Sequence, residues 1–282
     1  MACICLFLTT VFISRLTQKF NTKASSIFSS LNHLPEPFEI SSYKEVRNIF
    51  LSPNIGLCPN QEVWGGVPVL LDFIDGEVEK ELIKNTGNYT VCMSKGVAPS
   101  KKDCLVYSFG INFEWSFDEK AEDYGCQVFS FDPSMSVPFH HHSSKIIFYD
   151  KGLSSIDGVI NKNSRLWKMA RFSTLLKENG HTNRTIDILK IDIEGSEHEV
   201  ISNMIQEGLL RNVRQTVLEF HNFGRQTLQE YYLTYWQLNN IRFTNVAVEE
   251  WAGPGCTKKN VKGYYEFYCF VITFINQRFL EK

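Results

Sequence analysis

Four ionisable side chains in the C-terminal half are spaced so that they could do chemistry together. Asp192 and Glu194 stand two residues apart, directly after the apolar run 186–191. Glu219 and His221 stand two apart at the end of a later apolar run. Residues two apart on an extended chain project to the same side. If the two runs are neighbouring strands, these side chains gather at one sheet edge and could take the proton from a hydroxyl nucleophile.

Two other roles remain open for this group. In the first, the acids and His221 hold a divalent cation that lowers the pKa of a bound hydroxyl. In the second, Glu219 and His221 only brace neighbouring helices. The sequence favours metal-free chemistry, because acids at strand tips are commoner than metal sites. The predicted catalytic residues, in order of preference, are Asp192, Glu194 and His221.

An earlier pattern predicts the binding of a nucleotide-like ligand. Residues 104–109 have the composition of a buried strand, and Gly110 follows at the turn into a helix. The next strand, 127–131, ends at Asp132, which lies 22 residues after Gly110. A glycine at the first turn lets the backbone approach the ligand, and an acid at the second strand tip can accept both ribose hydroxyls. The predicted cofactor-binding residues are Ser108, Phe109, Gly110, Asp132 and Asp150.

The single glycine bears on which ligand fits. A dinucleotide site would need two more glycines for its pyrophosphate, which makes a nicotinamide oxidoreductase the weaker alternative. S-adenosylmethionine has no phosphate, so its site does not require the two additional glycines.

Strands and helices alternate along most of the chain, with short connections. This alternation predicts an α/β fold built on a twisted, mostly parallel sheet. Further strands are predicted at residues 89–93, 145–149, 214–220, 241–248 and 264–274. An amphipathic segment is predicted at 43–50 and helices at 76–88, 116–124, 171–179, 197–205 and 227–239. The last two strands could form an antiparallel pair.

Three segments carry a resemblance to a known family: VYSFGINFEWSFD (106–118), VFSFDPS (128–134) and DILKIDIEGSEHEV (187–200). Together they resemble the methyltransferase-like 24 group of the FkbM-type methyltransferases, over roughly residues 92–275. The resemblance implies a class I methyltransferase with S-adenosyl-L-methionine as cofactor. It also implies a Rossmann-like, seven-stranded sheet, mostly parallel with a C-terminal antiparallel strand.

By the same resemblance, Gly110 lies in the cofactor loop, Asp132 binds the ribose, and Asp192 and Glu194 line the active site. FkbM-type enzymes are associated with O-methylation, so the predicted acceptor is a hydroxyl-bearing glycan or secreted small molecule. The glycine-rich loop of typical class I enzymes is reduced here to SFGINFE. A non-catalytic protein that keeps the fold as a binding module is therefore the alternative.

Composition and the N-terminal region predict the compartment. The net charge is −2 and the basic residues are dispersed, which argues against a nucleic-acid partner. Residues 1–16 predict a signal peptide or membrane anchor, 17–88 a stem and docking segment, and 89–282 the methyltransferase domain. Acceptor tripeptides for N-glycans begin at Asn88 and Asn183, and six cysteines follow the leader. These features predict a secreted or secretory-pathway protein with disulfides.

Overall fold

The structure is a computed structural model that describes residues 34–35, 37–70, 83–86, 88–162, 164–221, 228–251, 256–259, 265–267 and 269–281. The chain divides into two compact units, residues 1–39 and 40–282. Of the first unit, the described part includes a short 3-10 helix at Pro37–Glu39. The predicted leader, 1–16, lies outside the described residues. Within the described ranges, no helix has the length and apolar character that crossing a membrane requires.

The second unit contains the helices and strands that build the site. The helices are α1 (Tyr43–Phe50), α2 (Ser116–Tyr124), α3 (Phe172–Glu178), α4 (Glu197–Gln206) and α5 (Leu228–Asn240). The strands are β1 (Gln61–Trp64), β2 (Val67–Leu70), β3 (Ile83–Thr86), β4 (Tyr89–Cys92), β5 (Leu105–Phe109), β6 (Gln127–Phe131), β7 (His140–His141), β8 (Ile146–Tyr149), β9 (Gly152–Leu153), β10 (Gly158–Lys162), β11 (Arg165–Ala170), β12 (Ile186–Ile191), β13 (Val213–His221), β14 (Phe243–Trp251), β15 (Thr257–Lys259), β16 (Tyr265–Phe267) and β17 (Cys269–Asn276).

The main sheet has the strand order β14-β17-β13-β12-β5-β6-β8-β7. The five strands from β13 to β8 are parallel, and β17 is antiparallel to both of its neighbours. The two-residue strand β7 is an antiparallel addition at one edge. The predicted Rossmann-like seven-stranded sheet is therefore confirmed. The chain leaves β5 first towards β6 and later returns through β12 on its other side, so a topological switch point lies between β5 and β12.

Each face of the sheet is covered by apolar packing. On one face, Tyr107 stacks on Phe129 and Phe109 on Phe131 across β5 and β6, with ring centroids 5.4 and 4.9 Å apart. On the other face, residues such as Val106, Val128 and Ile188 pack against α2 through Phe117 and Ala121. Burial on both faces explains why the central strands are largely apolar, with a few buried polar residues such as Ser108 and Lys190.

Residues 40–70, which the sequence assigns to the stem and docking segment, belong to the same compact unit as the sheet. Ser42 and Glu45 form a capping box that starts α1. Phe50 at its end is fully buried, stacks on Tyr235 and meets Phe270 edge-on. Strand β1 pairs with β4. Strand β4 corresponds to the strand predicted at residues 89–93.

One prediction of local structure differs from the fold, and one hairpin of the fold has no counterpart among the predictions. Ile83–Thr86, predicted as part of a helix, is strand β3 and pairs with β2. The helix prediction is wrong there, because pairing with β2 supplies the backbone hydrogen bonds and overrides local preference. The rest of that segment up to Gly87 lies outside the described residues. The antiparallel hairpin β10–β11 was not predicted.

All six cysteines of residues 17–282 are paired. The disulfides join Cys58 to Cys92, Cys104 to Cys126, and Cys256 to Cys269. This confirms the predicted use of disulfides. Cys104 and Cys126 directly precede the neighbouring strands β5 and β6, which places their Cα atoms 4.4 Å apart.

Candidate active site

The candidate site lies where the carboxyl ends of β5 and β12 meet. The backbone N–H of Asp192 donates to the carbonyl of Phe109 at 3.1 Å, which keeps the two strand tips in contact. Gly110 has a φ of +80°, and a Cβ on it would overlap the carbonyl oxygen of Asp192. Direct contact between the tips therefore requires a glycine at this position.

A cavity of about 340 Å³ opens at this switch point. Five of the predicted site residues line it, namely Phe109, Gly110, Asp132, Asp192 and Glu194. The remaining three, Ser108, Asp150 and His221, are not part of its wall. The cavity thus joins the predicted cofactor loop to the predicted acid cluster, as a ligand site at a switch point should.

The structure shows where the three predicted site residues that do not line the cavity lie. Ser108 is fully buried and donates to Asp118 at 3.3 Å, because alternate residues of β5 face opposite sides of the sheet. Asp150 directly follows β8 and does not line the cavity, although Gly152 and Leu153, two and three residues later, do. His221 is buried behind Asp192, with its Nε2 3.7 Å from the Asp192 Oδ1.

Asp132 organises the loop that follows β5. Its Oδ2 accepts hydrogen bonds from the backbone N–H groups of Ile111 and Asn112, at 2.9 and 2.8 Å. Its Oδ1 accepts from the backbone N–H and the hydroxyl of Ser134, at 2.7 and 2.6 Å. Four donors satisfy a carboxylate's usual acceptor capacity. The structure therefore shows Asp132 as a loop anchor, and its contact with a ribose stays a prediction.

Glu197 anchors the loop after β12 in the same way. Its Oε1 accepts from the backbone N–H groups of Ile193 and Gly195, both at 3.2 Å, and from Nδ1 of His221 at 3.0 Å. The side chain is 3% exposed. Sequence reasoning did not single out Glu197, because an acid in the first turn of a helix looks like an ordinary dipole partner.

The structure brings the predicted carboxylates and imidazole together. Nε2 of His221 lies 3.3 Å from Glu219, 3.7 Å from Asp192 and 3.8 Å from Glu194. Glu219 and His221 share one side of β13, as strand alternation predicts. Glu194 does not follow that rule: β12 ends at Ile191, and Glu194 has a φ of +59°. It reaches the cluster because the turn bends it back.

Two further residues hold Asp192 in place. Lys190, which is 3% exposed, donates to the carbonyl of Gly110 at 2.7 Å and lies 3.9 Å from Asp192. The hydroxyl of Tyr89 donates to Asp192 at 3.3 Å, and Lys190 lies over the Tyr89 ring at 4.8 Å. A lysine inside a strand that is apolar apart from Asp187 is a signal from which sequence reasoning could have found Lys190.

The electrostatics of the cluster follow from burial and an excess of acids. Burial, followed by the charge of Glu219, raises the pKa of Asp192 to about 8, against the opposing charges of Lys190 and His221. Burial by itself would lower the pKa of His221, but hydrogen bonds to Glu197 and Glu219 and their charges raise it to about 11. The site therefore favours bound cations and protons.

The hairpin β10–β11 forms another wall of the cavity. Ile160, Lys162 and Trp167 line the cavity from this hairpin. Arg165 donates to the hydroxyl of Ser136 at 2.8 Å and so connects the hairpin to the loop that follows β6. The polar sequence NKNS at 161–164, between two runs of strand-forming residues, is the signal that could have indicated the hairpin.

The fold and this site define a class of protein, the Rossmann-like α/β proteins with a ligand cavity at the switch point. A search against family models matches residues 73–249 to the family described as "Methyltransferase domain". That match spans more than half of the chain. The chain belongs to this methyltransferase-domain family.

Curated relatives include "Probable methyltransferase-like protein 24" from Rattus norvegicus and from Homo sapiens. Each is 30% identical to this chain over 128 residues, which are 43% of this chain and 33% of the relative. The chain thus matches about a third of the length of these relatives.

Solved structures whose backbone partly matches that of this chain include Sp1610 of Streptococcus pneumoniae in complex with S-adenosyl-L-methionine. Its TM-score is 0.35 and its identity 14%, covering 63% of this chain and 67% of that one. Another is TrmK of M. capricolum in complex with S-adenosyl-homocysteine. Its TM-score is 0.34 and its identity 7%, covering 62% of this chain and 63% of that one.

Proposed function

We propose that this chain is an S-adenosylmethionine-dependent methyltransferase that acts on a hydroxyl of a glycan or secreted small molecule. The observation that carries the proposal is the position of the acids: Asp192 and Glu194 line the switch-point cavity. His221 backs Asp192 at 3.7 Å. Membership of the methyltransferase-domain family supports the reaction class.

The residues around the cavity fit such a cofactor. Leu153, Met169 and Trp167 offer apolar surface suited to a purine, and the loop at Gly110 and Asn112 offers backbone groups. The indole Nε1 of Trp167 is buried and donates to no group in the described part of the chain. An orphaned donor in a cavity wall suits a ligand with acceptor atoms. When bound, S-adenosylmethionine supplies an electrophilic methyl group.

The side chains at the acidic end would position and deprotonate the acceptor. Asp192 is held by Tyr89 and Lys190 and faces the cavity, where it can accept the proton of an incoming hydroxyl. Lys190 also fixes the Gly110 carbonyl, so the cofactor loop and the base share one support. Alignment of hydroxyl and methyl group would provide most of the rate.

Binding and turnover can be tested separately. Calorimetry of the purified chain should show binding of S-adenosylhomocysteine, and a labelled cofactor with a pool of glycans and metabolites should identify the acceptor by mass spectrometry. With that acceptor, Asp192→Asn should lower turnover by about 10² or more while cofactor affinity changes little. Glu199→Gln, an exposed change on α4, is the matched control. Wild-type turnover in Asp192→Asn would remove Asp192 from the mechanism.

One observation favours the non-catalytic alternative. The four acceptor positions of Asp132 are already taken by the protein, which leaves no free carboxylate oxygen for a ribose. If S-adenosylhomocysteine neither stabilises the chain against heat nor binds in the calorimeter, the binding-module function replaces the enzymatic one.

The same proposal places the protein in the lumen of the secretory pathway or outside the cell, with a possible membrane attachment through residues 1–16. Three disulfides support an oxidising compartment. Asn183, the first residue of an acceptor tripeptide, is exposed on a turn. Glycosidase treatment of protein made in mammalian cells should increase its gel mobility, and Asn183→Gln should remove the glycan at that site. All six thiols alkylatable in such protein would refute this location.

A further inference from the structure

We propose that Asp192, Glu219 and His221 form a binding site for one divalent metal ion of the Mn²⁺ type, at the acidic end of the cavity. The ion's role in the reaction rests on the proposed methyltransferase function, but its binding does not. The site combines two carboxylates from different strands with an imidazole, and one donor atom of each lies within 4.8 Å of the others.

The distances around Nε2 of His221 are compatible with donors that share an ion. Nε2 of His221 is 3.3 Å from Glu219 and 3.7 Å from Asp192. A hydrogen bond from nitrogen to oxygen is about 2.7–3.2 Å long. Neighbouring donors about 2.1 Å from one ion are roughly 3.0–3.5 Å apart. The donor atoms lie within 4.8 Å of one another, so a shared ion would require them to move closer, and the Asp192 side chain, which is 22% exposed, has room to move.

Glu197 fixes the imidazole in the orientation that a metal ligand needs. Its carboxylate lies 3.0 Å from Nδ1 of His221 and is itself held by the backbone N–H groups of Ile193 and Gly195. Metal binding would displace the proton on Nε2, and with the proton on Nδ1 kept by Glu197 the Nε2 lone pair would face Glu219 and Asp192. A carboxylate behind a ligating histidine is a common arrangement at metal sites.

Glu219, the second carboxylate of the proposed ligand set, is ion-paired with His221 and is placed to contact the same cation. Its side chain is only 10% exposed, and it points at Nε2 of His221. In the described part of the chain, no backbone N–H or hydroxyl donates to its carboxylate within hydrogen-bond distance. Four carboxylates (Asp192, Glu194, Glu197 and Glu219) surround His221, and the lysine beside them is Lys190. When ionised, the three least exposed carboxylates, Asp192, Glu197 and Glu219, outnumber the two cationic groups, Lys190 and His221, and a divalent ion would compensate the excess negative charge.

The mixed donor set indicates the type of ion. Carboxylates suit Mg²⁺ and Mn²⁺, whereas an imidazole suits the transition metals, so Mn²⁺ satisfies both preferences. An ion beside Asp192 would face the cavity and bind the acceptor's hydroxyl oxygen, lowering that hydroxyl's pKa. With Asp192 engaged as a metal ligand, Glu194 would replace it as the base: as the oxygen–hydrogen bond breaks, the proton would pass to Glu194, whose side chain is 66% exposed and lines the same cavity.

The test is a titration of the chelator-treated full chain with MnCl₂, followed by electron paramagnetic resonance of the free ion. We expect one Mn²⁺ to bind per chain, and Glu219→Gln to weaken binding at least tenfold. Glu199→Gln, exposed on α4, should bind as the wild type does. If circular dichroism shows that Glu219→Gln is misfolded, Asp192→Asn, at the more exposed ligand, takes its place with the same expected loss.

Absence of binding by the folded wild type at millimolar Mn²⁺ would overturn the proposal, as would wild-type affinity in the folded ligand variant. Calorimetry with S-adenosylhomocysteine on the chelated chain separates the two proposals. Cofactor binding without Mn²⁺ binding leaves the methyltransferase standing and refutes the metal site. Mn²⁺ binding without cofactor binding leaves the metal site standing and refutes the methyltransferase function.

Discussion

The carboxylate of Glu197 lies 3.0 Å from Nδ1 of His221, and the two residues are only 2% and 4% exposed. This pair joins the first turn of α4 to the end of β13. Because Glu197 also holds the turn after β12, it couples the position of the imidazole to the turn that carries Glu194. The acid cluster is thus built around a residue that does not line the cavity.

Replacing Glu197 by glutamine should therefore destabilise the protein as well as the cluster. Hydrogen bonds to charged groups contribute about 1.5–3 kcal/mol each, so Glu197→Gln should lower the free energy of unfolding by about 2 kcal/mol. Chemical denaturation at neutral pH measures this. Glu199→Gln, two residues on and exposed, should change stability by less than about 0.5 kcal/mol. Equal effects of both changes would contradict a special role for Glu197.

Asp132→Ala should weaken S-adenosylhomocysteine binding at least tenfold in calorimetry. The change removes the acceptors for the N–H groups of Ile111 and Asn112, so the loop after β5 loses its anchor. Loss of one charge-assisted bond, about 1.5–3 kcal/mol, is enough for a tenfold effect. Asp123→Ala on α2 is the control, because Asp123 is exposed. Unchanged affinity in Asp132→Ala would show that this loop does not contact the cofactor.

Asp118 should make stability depend on pH. Burial raises its pKa to about 6 from the ordinary 3.8, against the charge of Lys190 and hydrogen bonds from Ser130 and Ser108. Between these two values the folded state holds a proton that the unfolded state has lost. The contribution of Asp118 to stability therefore falls as pH rises from about 4 to 6, by on the order of 2 kcal/mol, and is constant above that range.

Asp118→Asn removes this titration while keeping the side chain's shape. Urea unfolding of both proteins from pH 4 to pH 7 should show the asparagine variant gaining stability relative to the wild type as pH rises to about 6. Subtracting the two curves cancels groups that both proteins share. Parallel curves across this range would mean that Asp118 titrates alike in the folded and unfolded states.

The disulfides give a prediction for the chemistry of the isolated protein. Protein made through the secretory route should yield the crosslinked peptides Cys58–Cys92, Cys104–Cys126 and Cys256–Cys269 in non-reducing mass spectrometry. Reduction should lower the thermal midpoint, because three loops of the unfolded chain are no longer closed. Peptides with any other pairing would contradict the connectivity of the fold.

The sequence by itself determined the parallel sheet and its ligand edge. Continuous apolar runs that end in Gly110, Asp132 and Asp192 are local signals, because a buried strand needs apolar residues on both faces. The spacing of Glu219 and His221 also predicted their shared side of β13, since side-chain alternation depends only on an extended backbone.

Only the tertiary structure decided what these residues touch. Gly110 is required because the carbonyl of Asp192 occupies the space of a Cβ, and that contact depends on the pairing of β5 with β12. Glu197 looks like a solvent-facing helix acid until His221 is placed against it. The sequence predicts that the carboxylate oxygens of Asp132 bind a ribose. In the structure they accept hydrogen bonds from nearby backbone N–H groups. Burial and hydrogen-bond partners are set by strand register and loop packing, which join residues far apart in the chain.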